Sequence, residues 1–190
     1  MSSSTGANRH NHVCPVQYAG LLTGTVRRLF NHPKRILRPL VAAGDTVVDL
    51  GCGPGFFTLP LAEMVGDGGR VIAVDVQQGM LDLLRARAET AGLDSRIQTY
   101  LATPDAPLAI GPADLVLAFW VLHEAPDQER LLADAHGLLR PGGRLLLVEP
   151  IGHVSKTGFA AALALAQAMG FALLGRPRVG LSRAAVLQRP

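Results

Sequence analysis

Short apolar runs alternate with amphipathic segments from residue 45 to the end of the chain. An apolar run that ends in a turn is typical of a buried strand, and apolar residues spaced three and four apart are typical of a helix. The pattern predicts strands over residues 46–50, 70–75, 96–101, 113–119, 144–149, 171–174 and 183–188. It predicts helices over residues 56–65, 77–91, 126–139 and 157–169. This alternation predicts an α/β fold with a doubly wound parallel sheet that binds ligands at the carboxyl ends of its strands.

The two ends of this pattern differ from its centre. Residues 1–12 are polar and lack the apolar core of a signal peptide, and residues 13–40 favour one or two short helices. Residues 158–175 form an uncharged run, in which only Gln167 is polar, at the lower limit for a membrane span. Because Gly170 divides this run and much of it is alanine, we expect a buried helix and a strand there, and no membrane span.

Composition agrees with one folded domain. Of the 190 residues, 48% are hydrophobic and 17% are charged, which excludes a broadly disordered chain. Two cysteines exclude a disulfide scaffold and fit a reducing cytoplasm. A formal net charge of +3 is too small to indicate nucleic-acid binding by itself. We expect a cytoplasmic protein with an N-terminal tail and helical lid segment over residues 1–40 and one ligand-binding domain over residues 41–190.

Three glycines separated by single residues follow the first predicted strand, in Asp49-Leu-Gly-Cys-Gly-Pro-Gly55. Glycines let the backbone turn sharply beside a ligand, and the helix that follows offers free N–H groups. The dinucleotide fingerprint requires a third glycine where this chain has Phe56, so a nicotinamide-dependent reductase is disfavoured. Cys52 within the loop is expected to serve only packing.

An acid ends the second predicted strand. Asp75 lies 20 residues beyond Gly55, where a carboxylate can accept hydrogen bonds from both hydroxyls of a ribose. The glycine loop and this acid together predict an adenosine-like ligand. The alternative is a plain strand-to-helix turn, with Asp75 as the cap of the next helix.

These residues resemble a known family. The segment from Val48 to Gly55 resembles motif I of class I S-adenosylmethionine-dependent methyltransferases, Asp75 resembles their ribose-binding acid, and Leu138-Leu-Arg-Pro-Gly-Gly143 resembles their late Pro-Gly-Gly segment. The similarity covers roughly residues 33–189 and is greatest to the type-11 or ubiquinone/menaquinone-biosynthesis group, which acts on small molecules. It implies a Rossmann-like, mostly parallel sheet of seven strands in the order 3-2-1-4-5-7-6, with strand 7 antiparallel.

The resemblance also implies a cofactor and its contacts. S-adenosylmethionine would be the methyl donor, and S-adenosylhomocysteine the product. The family's pattern implies that the methionine part is held by Asp49, Gly51, Gly53 and Gly55, that Asp75 binds the ribose, and that Val76 and Met80 flank the adenine. Related chains often have an acid directly after strand 3. Here the stretch is Leu101-Ala-Thr-Pro104, so Thr103 or a backbone carbonyl would contact the adenine.

Candidate residues for the acceptor side follow strand 4, in Phe119-Trp-Val-Leu-His-Glu124. His123 could act as the catalytic base, or it could cap the next helix or bond to the backbone. Glu124 fits a structural role as well as a catalytic one. Phe119 and Trp120 could wall the adenine or the acceptor, although Trp120 also fits a core role, and Glu149 at the end of strand 5 could contact the substrate.

The N-terminal segment contributes further candidates. Tyr18, Arg27 and Arg28 would help to choose the substrate if this segment covers the acceptor, whereas the arginines fit a solvated basic face as well. His10, His12 and Cys14 could ligate a soft metal. Because no second cysteine pair supports such a site, we expect no metal.

Taken together, these features favour a methyltransferase that acts on a small molecule. Methylation of RNA or protein is the first alternative, but the chain lacks an Asn-Pro-Pro-Tyr motif after strand 4 and an appended basic domain. A second alternative is a non-catalytic protein that binds S-adenosylmethionine and regulates a partner. Few residues lie outside the cofactor fold, which favours a small acceptor or a homodimer that completes the pocket.

Overall fold

The structure is a computed structural model that describes residues 32–103, 106–108 and 110–190. Its α-helices are α1 (Pro33–Leu37), α2 (Thr58–Val65), α3 (Gln78–Ala91), α4 (Gln128–Leu138) and α5 (Lys156–Ala168). Its strands are β1 (Thr46–Leu50), β2 (Arg70–Asp75), β3 (Ile97–Leu101), β4 (Ala113–Phe119), β5 (Leu139–Pro150), β6 (Ala172–Gly175) and β7 (Ser182–Gln188). Two short 3-10 turns cover Asp94–Arg96 and Leu122–Glu124. Every strand and helix predicted from residue 45 onward is present, and apart from β5 their ends move by two residues or fewer. Of the short helices favoured over residues 13–40, α1 is present, and residues 13–31 lie outside the described residues.

The seven strands form one sheet in the order β3-β2-β1-β4-β5-β7-β6. Strands β1 to β5 pair in parallel, whereas β7 is antiparallel to both β5 and β6. The predicted fold class and strand order are therefore confirmed. Because β1 lies between β2 and β4, the chain reverses its direction of progress across the sheet there, and a crevice opens at the carboxyl ends of these strands.

Strand β5 is longer than the predicted 144–149. Pairing with β4 joins Ala113 to Leu139 and then jumps to Leu115 and Arg144, so residues 140–143 bulge out of the strand. Asp114 anchors this bulge, since its carboxylate accepts hydrogen bonds from Arg140 Nε at 2.5 Å and from the backbone N–H of Thr46 at 2.8 Å. The Pro-Gly-Gly turn is present, but β5 pairs with β4 both before and after it.

The sheet is buried on both faces. Neighbouring residues of β1 belong to different apolar clusters, with Val47 on one face and Val48 on the other, and both are fully buried. Burial on two faces explains why the strands read as continuous apolar runs and why the mean hydropathy reaches +0.26.

The apolar stretch 158–175 forms most of α5 and all of β6. Phe159, Ala162, Leu163 and Ala166 are the buried face of α5 against the sheet. The predicted helix and strand are thus confirmed. In the part of the chain that the structure describes, no helix has both the length and the apolar character needed to cross a membrane.

Alanine substitutions at the two adjacent glycines of the β5 bulge should destabilise the protein to different extents. A Cβ at Gly143 would lie 2.8 Å from the Arg140 carbonyl oxygen and 3.0 Å from that of Ala113, whereas Gly142 has open space but a φ of 80°. Gly143→Ala should lower the free energy of unfolding by about 3 kcal/mol, because the two obstructing atoms are backbone. Gly142→Ala should cost about 1 kcal/mol through φ strain alone.

Urea denaturation followed by circular dichroism measures both effects. Asparagine tolerates positive φ, so Gly142→Asn should be more stable than Gly142→Ala, and Gly143→Asn should remain as unstable as Gly143→Ala. Equal losses for the two alanine variants would contradict the proposed packing of the bulge.

Candidate functional site

A cavity of about 280 Å³ opens at the carboxyl ends of β1, β2, β3 and β4. This volume is near the lower end of the range of about 300–1,000 Å³ for small-ligand pockets. Its floor is the turn after β1, and one wall is the amino-terminal half of α4. The charged residues in the lining are Asp49, Asp75, Glu124, Asp127, Arg130 and Asp134.

The glycine loop is fastened to the second strand through Asp75. The backbone N–H of Gly53 donates to Asp75 Oδ2 at 2.9 Å, and that of Gln77 donates to Oδ1 at 2.9 Å. A carboxylate has about four acceptor positions, so these N–H groups do not exhaust its acceptor capacity. Burial raises the pKa of Asp75 against the opposing effect of its backbone N–H donors. The carboxylate is therefore held in place at the cavity with acceptor capacity to spare.

The loop has no room for side chains on its inner side. A Cβ at Gly55 would collide with the buried Leu84 of α3, and one at Gly51 would lie 2.7 Å from Val121 Cγ2. A Cβ added at Gly53 would have no other atom within 4 Å. The backbone consequently packs against the protein at Gly51 and Gly55 and is open at Gly53, which lines the cavity. This opening fits a ligand that lies directly on the main chain.

A second buried carboxylate lies beside the loop. Asp49 is 2% exposed, and its Oδ2 accepts a hydrogen bond of 2.6 Å from the hydroxyl of Thr58 at the start of α2. The charged lining of the cavity holds more carboxylates than guanidinium groups. Such a lining favours a ligand that carries positive charge.

Cys52 is buried and its thiol donates to the carbonyl oxygen of Gly53. Burial, together with the charges of Asp49 and Asp75, raises the pKa of this thiol well above its ordinary value. The side chain packs with Ala73, Leu81 and Leu84. The neutral thiol therefore contributes packing, in agreement with its predicted role.

An aromatic wall closes the side of the cavity next to β4. The ring of Phe119 lies 4.2 Å from that of Phe57 and 5.4 Å from that of Trp120, centroid to centroid. Trp120 has a positive φ of 64°. Among the described residues it is the only non-glycine residue with a positive φ. Its indole N–H donates to Ser182 Oγ of β7 at 3.0 Å, and its backbone N–H donates to the Val148 carbonyl at 2.8 Å. Strained conformations of this kind cluster at functional sites.

The histidine after β4 pairs with the acid at the end of β5. His123 Nδ1 lies 2.5 Å from Glu149 Oε2, and the backbone N–H of Leu122 donates to Glu149 Oε1 at 3.1 Å. The hydrogen bond to Glu149 and the charges of Glu149 and Glu124 raise the pKa of His123, although partial burial opposes them. On the other side of the ring, His123 Nε2 lies 3.3 Å from His153 Nδ1. Glu149 is 1% exposed and is thus a buried partner of the imidazole.

The predicted site residues divide into three groups. Those that line the cavity are Asp49, Gly51, Gly53, Asp75, Val76, Met80, Thr103, Phe119, Trp120 and Glu124. Gly55 packs beneath the loop, while His123 and Glu149 bond to each other beside the cavity rather than lining it. Tyr18, Arg27, Arg28, His10, His12 and Cys14 lie outside the described residues.

Sequence reasoning missed several lining residues. The cavity is also lined by three charged residues of the α4 region, Asp127, Arg130 and Asp134. The polar face of the predicted helix was the sequence signal that could have indicated them. Strand pairing brings Ser182 next to Trp120, and the turn after β5 brings His153 next to His123; local sequence specifies neither contact. Within the part of the chain that the structure covers, no group of three or more His, Cys, Asp or Glu residues is arranged to hold a metal ion.

Comparison with known proteins assigns the chain to a class. Residues 47–143, just over half of the chain, match the family model described as a methyltransferase domain. The chain belongs to this methyltransferase domain family, and the resemblance noted in the sequence is confirmed. Family and fold together imply S-adenosylmethionine as the cofactor.

Particular relatives refine this class. The chain is 34% identical over 110 residues to a ubiquinone/menaquinone biosynthesis C-methyltransferase of Enterobacter sp., a match that covers 57% of this chain and 44% of the relative. It is 34% identical over 125 residues to a demethylmenaquinone methyltransferase of Lactobacillus johnsonii, covering 63% of this chain and 50% of that one. The chain thus spans about half the length of the curated relatives it matches.

A solved structure of a SAM-dependent methyltransferase from Aquifex aeolicus superposes with a TM-score of 0.84. The two chains are 19% identical, and the match covers 94% of this chain and 100% of the other. At this identity the comparison supports the fold, which the strand order has already established.

The raised pKa of His123 predicts how stability depends on pH. The folded state binds the second imidazole proton of His123 more tightly than the unfolded state does. The stabilisation that this proton provides is therefore complete below the ordinary pKa of 6.5 and is lost as pH rises through the folded pKa. The free energy of unfolding should fall as pH rises above 6.5 and through the folded pKa of His123, and Glu149→Gln should flatten this fall. Urea titrations at a series of pH values measure the slope.

Glu63→Gln is the matched control, since Glu63 pairs with Lys34 on the surface and does not contact a histidine. His136 has a pKa lowered by burial and by Arg189, and it contributes equally to all three proteins. Identical slopes for wild type and Glu149→Gln would show that the carboxylate does not control the protonation of His123.

Proposed function

We propose that the protein is a methyltransferase that moves a methyl group from S-adenosylmethionine to a small-molecule acceptor and releases S-adenosylhomocysteine. The observation that carries the proposal is the carboxylate of Asp75, fixed by the N–H groups of Gly53 and Gln77 at the edge of a cavity where the loop backbone is open. Family membership supports the same conclusion.

The residues present fit the adenosine half of this cofactor. The remaining acceptor capacity of Asp75 suits a ribose hydroxyl. Val76, half of whose surface is exposed, and the buried Met80 provide apolar surfaces for the adenine beside β2, and Thr103 follows β3. Asp105, the first acid after β3, lies outside the described residues, so Thr103 and the backbone near it are proposed for the adenine amino group.

The other half of the cofactor fits the region around β1 and β4. Asp49, Gly51 and Gly53 would hold the methionine part, and Phe119 would pack against it. When bound, S-adenosylmethionine supplies an electrophilic methyl carbon on a positively charged sulfur. The carboxylates of Asp49 and Glu124 in the lining balance that charge. The protein's remaining tasks are to align the acceptor and to exclude water.

Sheet order supports a position for the acceptor. With the proposed adenosine contacts at Asp75 and Thr103, the adenosine would lie over β2 and β3 and the methionine end over β1 and β4, with the acceptor beyond it. Trp120 and Glu124 line the cavity on this side. The cavity volume favours a small acceptor, and the names of the two relatives, which refer to ubiquinone/menaquinone biosynthesis and to demethylmenaquinone, support a quinone-related acceptor.

The proposal includes the setting in which the protein acts. We propose a cytoplasmic enzyme whose acceptor is not a nucleic acid, for which the small formal net charge of +3 is the support. Assembly as a homodimer, and the division between a lid segment over residues 1–40 and a domain over 41–190, stay predictions from the sequence.

Asp75→Asn tests the cofactor site. The amide removes the charge and places an N–H₂ group where an acceptor is required, so the Kd for S-adenosylmethionine should rise about 10²-fold, as expected for loss of charge-assisted hydrogen bonds. Calorimetric titration measures the Kd. Trp120 is the only tryptophan of the chain and lines the cavity, so quenching of its fluorescence provides a second measurement.

Asp94→Asn is the control, because Asp94 is an exposed acid in the 3-10 turn before β3. An unchanged Kd in Asp75→Asn would contradict the assignment of the ribose contact. Formation of S-adenosylhomocysteine with a panel of small acceptors then distinguishes an enzyme from a protein that only binds the cofactor, which would show binding and no product.

A further inference from the structure

The positive charge of the chain is concentrated in its C-terminal segment. Residues 150–190 hold five of the 18 lysines and arginines and none of the 15 acids, whereas residues 1–149 hold 13 of the bases and all of the acids. The formal charge is therefore +5 in the C-terminal segment and −2 in the rest, although the whole chain carries only +3. Such an asymmetry within one chain indicates a surface that attracts an anionic partner.

The sheet register places two turns of this segment at the carboxyl edge. Pro150 at the end of β5 pairs with Ser182 at the start of β7, so Ile151 and Leu181 are the next residues beyond this pair. The backbone N–H of Ile151 donates to the Leu181 carbonyl at 3.2 Å, which joins the two turns. Ile151 and Leu181 are therefore neighbours at the tip of this edge.

Both residues are highly exposed for large apolar side chains. Leu181 is 68% exposed, the highest value among the large apolar residues of the described chain, and Ile151 is 46% exposed. The turn that carries Leu181 is nevertheless anchored, because Val179 is buried and the Ser182 N–H donates to its carbonyl at 2.9 Å. The exposure of Leu181 is thus part of the folded arrangement of the turn.

Cations accompany the two apolar residues. Lys156 begins α5, and Arg176 and Arg178 lie in the loop that leads from β6 to Leu181. All three are exposed, and none of them forms an ion pair within the part of the chain that the structure describes. Glu149, the acid next to this segment in sequence, is 1% exposed, so burial withholds its charge from the surface.

The other two arginines of the segment bond to backbone carbonyls. Arg189 lies toward the opposite edge of the sheet, where its guanidinium donates to the carbonyl oxygen of His136 at 3.1 Å. Arg183 Nε donates to the Val154 carbonyl at 3.2 Å and ties the turn after β5 to β7. We therefore define the edge surface by two apolar residues and three cations: Ile151, Leu181, Lys156, Arg176 and Arg178.

We propose that the edge surface docks the protein on an anionic phospholipid membrane, with Ile151 and Leu181 entering the interface and the three cations contacting the lipid phosphates. Binding of this kind gains from buried apolar area and from the attraction of basic residues to anionic lipids. Long basic side chains can place their charge at the headgroups while their stems lie in apolar surroundings. This is contact with a membrane surface, which needs no spanning helix.

Two other partners fit the edge surface less well. In a symmetric dimer formed through it, the three cations of one copy would face those of the other, and like charges across an interface are unfavourable. Single-stranded nucleic acid is bound through aromatic side chains that stack on bases. The phenylalanines of residues 150–190, Phe159 and Phe171, are buried, and this segment has no tyrosine or tryptophan. An anionic lipid surface matches both the charge and the exposed aliphatic side chains.

The edge surface is directly connected to the wall of the cavity. Leu181 precedes Ser182, whose hydroxyl accepts a hydrogen bond of 3.0 Å from the indole N–H of Trp120. Trp120 in turn lines the cavity. Docking would therefore bring this wall close to the membrane surface. The inference goes beyond the proposed function, and vesicle binding can be measured without cofactor or acceptor.

Flotation of the full chain with lipid vesicles tests the docking. The protein should float with vesicles of equal parts phosphatidylglycerol and phosphatidylcholine, and it should not float with phosphatidylcholine alone. High salt should release it, since salt screens exposed charges. A wild type that does not bind the anionic vesicles would overturn the proposal.

Variants of the edge surface should weaken the partition onto anionic vesicles. The double substitution Arg176→Gln with Arg178→Gln should lower the partition coefficient about 25-fold, because each basic residue near an anionic surface contributes about fivefold. Leu181→Ser should lower it about tenfold through the loss of buried apolar area. Because all of these side chains are exposed, the variants should remain folded, which urea denaturation checks.

Substitutions away from the edge surface are the matched controls. Arg35→Gln with Arg38→Gln removes the same charge from exposed positions in and after α1, and Leu83→Ser removes an exposed leucine from α3. Both control proteins should bind the anionic vesicles as the wild type does. Equal losses in control and edge variants, or a Leu181→Ser variant that binds as the wild type does, would overturn the proposal.

Further outcomes distinguish the other partners and the proposed function. A wild-type dimer that becomes a monomer in Leu181→Ser, measured by sedimentation velocity, would assign the edge surface to a second copy and overturn the proposal. Binding to single-stranded RNA without binding to anionic vesicles would also overturn it. A protein that binds S-adenosylmethionine and no vesicles would overturn the docking surface and leave the proposed function intact, whereas vesicle binding without S-adenosylmethionine binding would do the reverse.

Discussion

The fastening of the glycine loop to Asp75 is the interaction on which the site depends. Two backbone N–H groups, from Gly53 on the β1 side and from Gln77 on the α3 side, converge on one carboxylate. This contact joins the carboxyl ends of β1 and β2 and fixes the shape of the crevice between them. It also orients the carboxylate, so that the same group that organises the loop can receive a ligand. A carboxylate can accept more hydrogen bonds than the loop uses, so the proposed ribose contact requires no second side chain.

Most of the fold could be predicted from the sequence because its signals are local. Buried parallel strands appear as apolar runs, helices appear as amphipathic segments, and the glycines mark the turn after β1. The extent of β5 could not be predicted in this way. Its bulge depends on Asp114 of β4, which accepts hydrogen bonds from both Arg140 and Thr46. A Pro-Gly-Gly segment indicates a turn by local rules, and only the tertiary anchor lets the strand continue on both sides of it.

The cofactor side of the site was more predictable than the acceptor side, for a physical reason. Asp49, Gly53 and Asp75 lie at fixed distances from strand ends, so the sequence position predicts the spatial position. His153 and Ser182 reach the site through the antiparallel return of β7 and the turn after β5, and their partners are distant in sequence. The positive φ of Trp120 has no sequence signal at all, since tryptophan does not favour that conformation. His123 and Glu149 could each be picked out as candidates, but their pairing is a property of two adjacent strands.

The link between Trp120 and Ser182 has a consequence for assembly of the site. Strand β7 enters the sheet between β5 and β6, so its arrival completes the interior of the sheet instead of extending an edge. Only then can the hydroxyl of Ser182 meet the indole that walls the cavity. The strands that carry the glycine loop, β1 and β2, do not supply this support. The wall of the cavity therefore depends on a strand from the far end of the chain, so a substitution in β7 can disturb the cavity without touching the glycine loop.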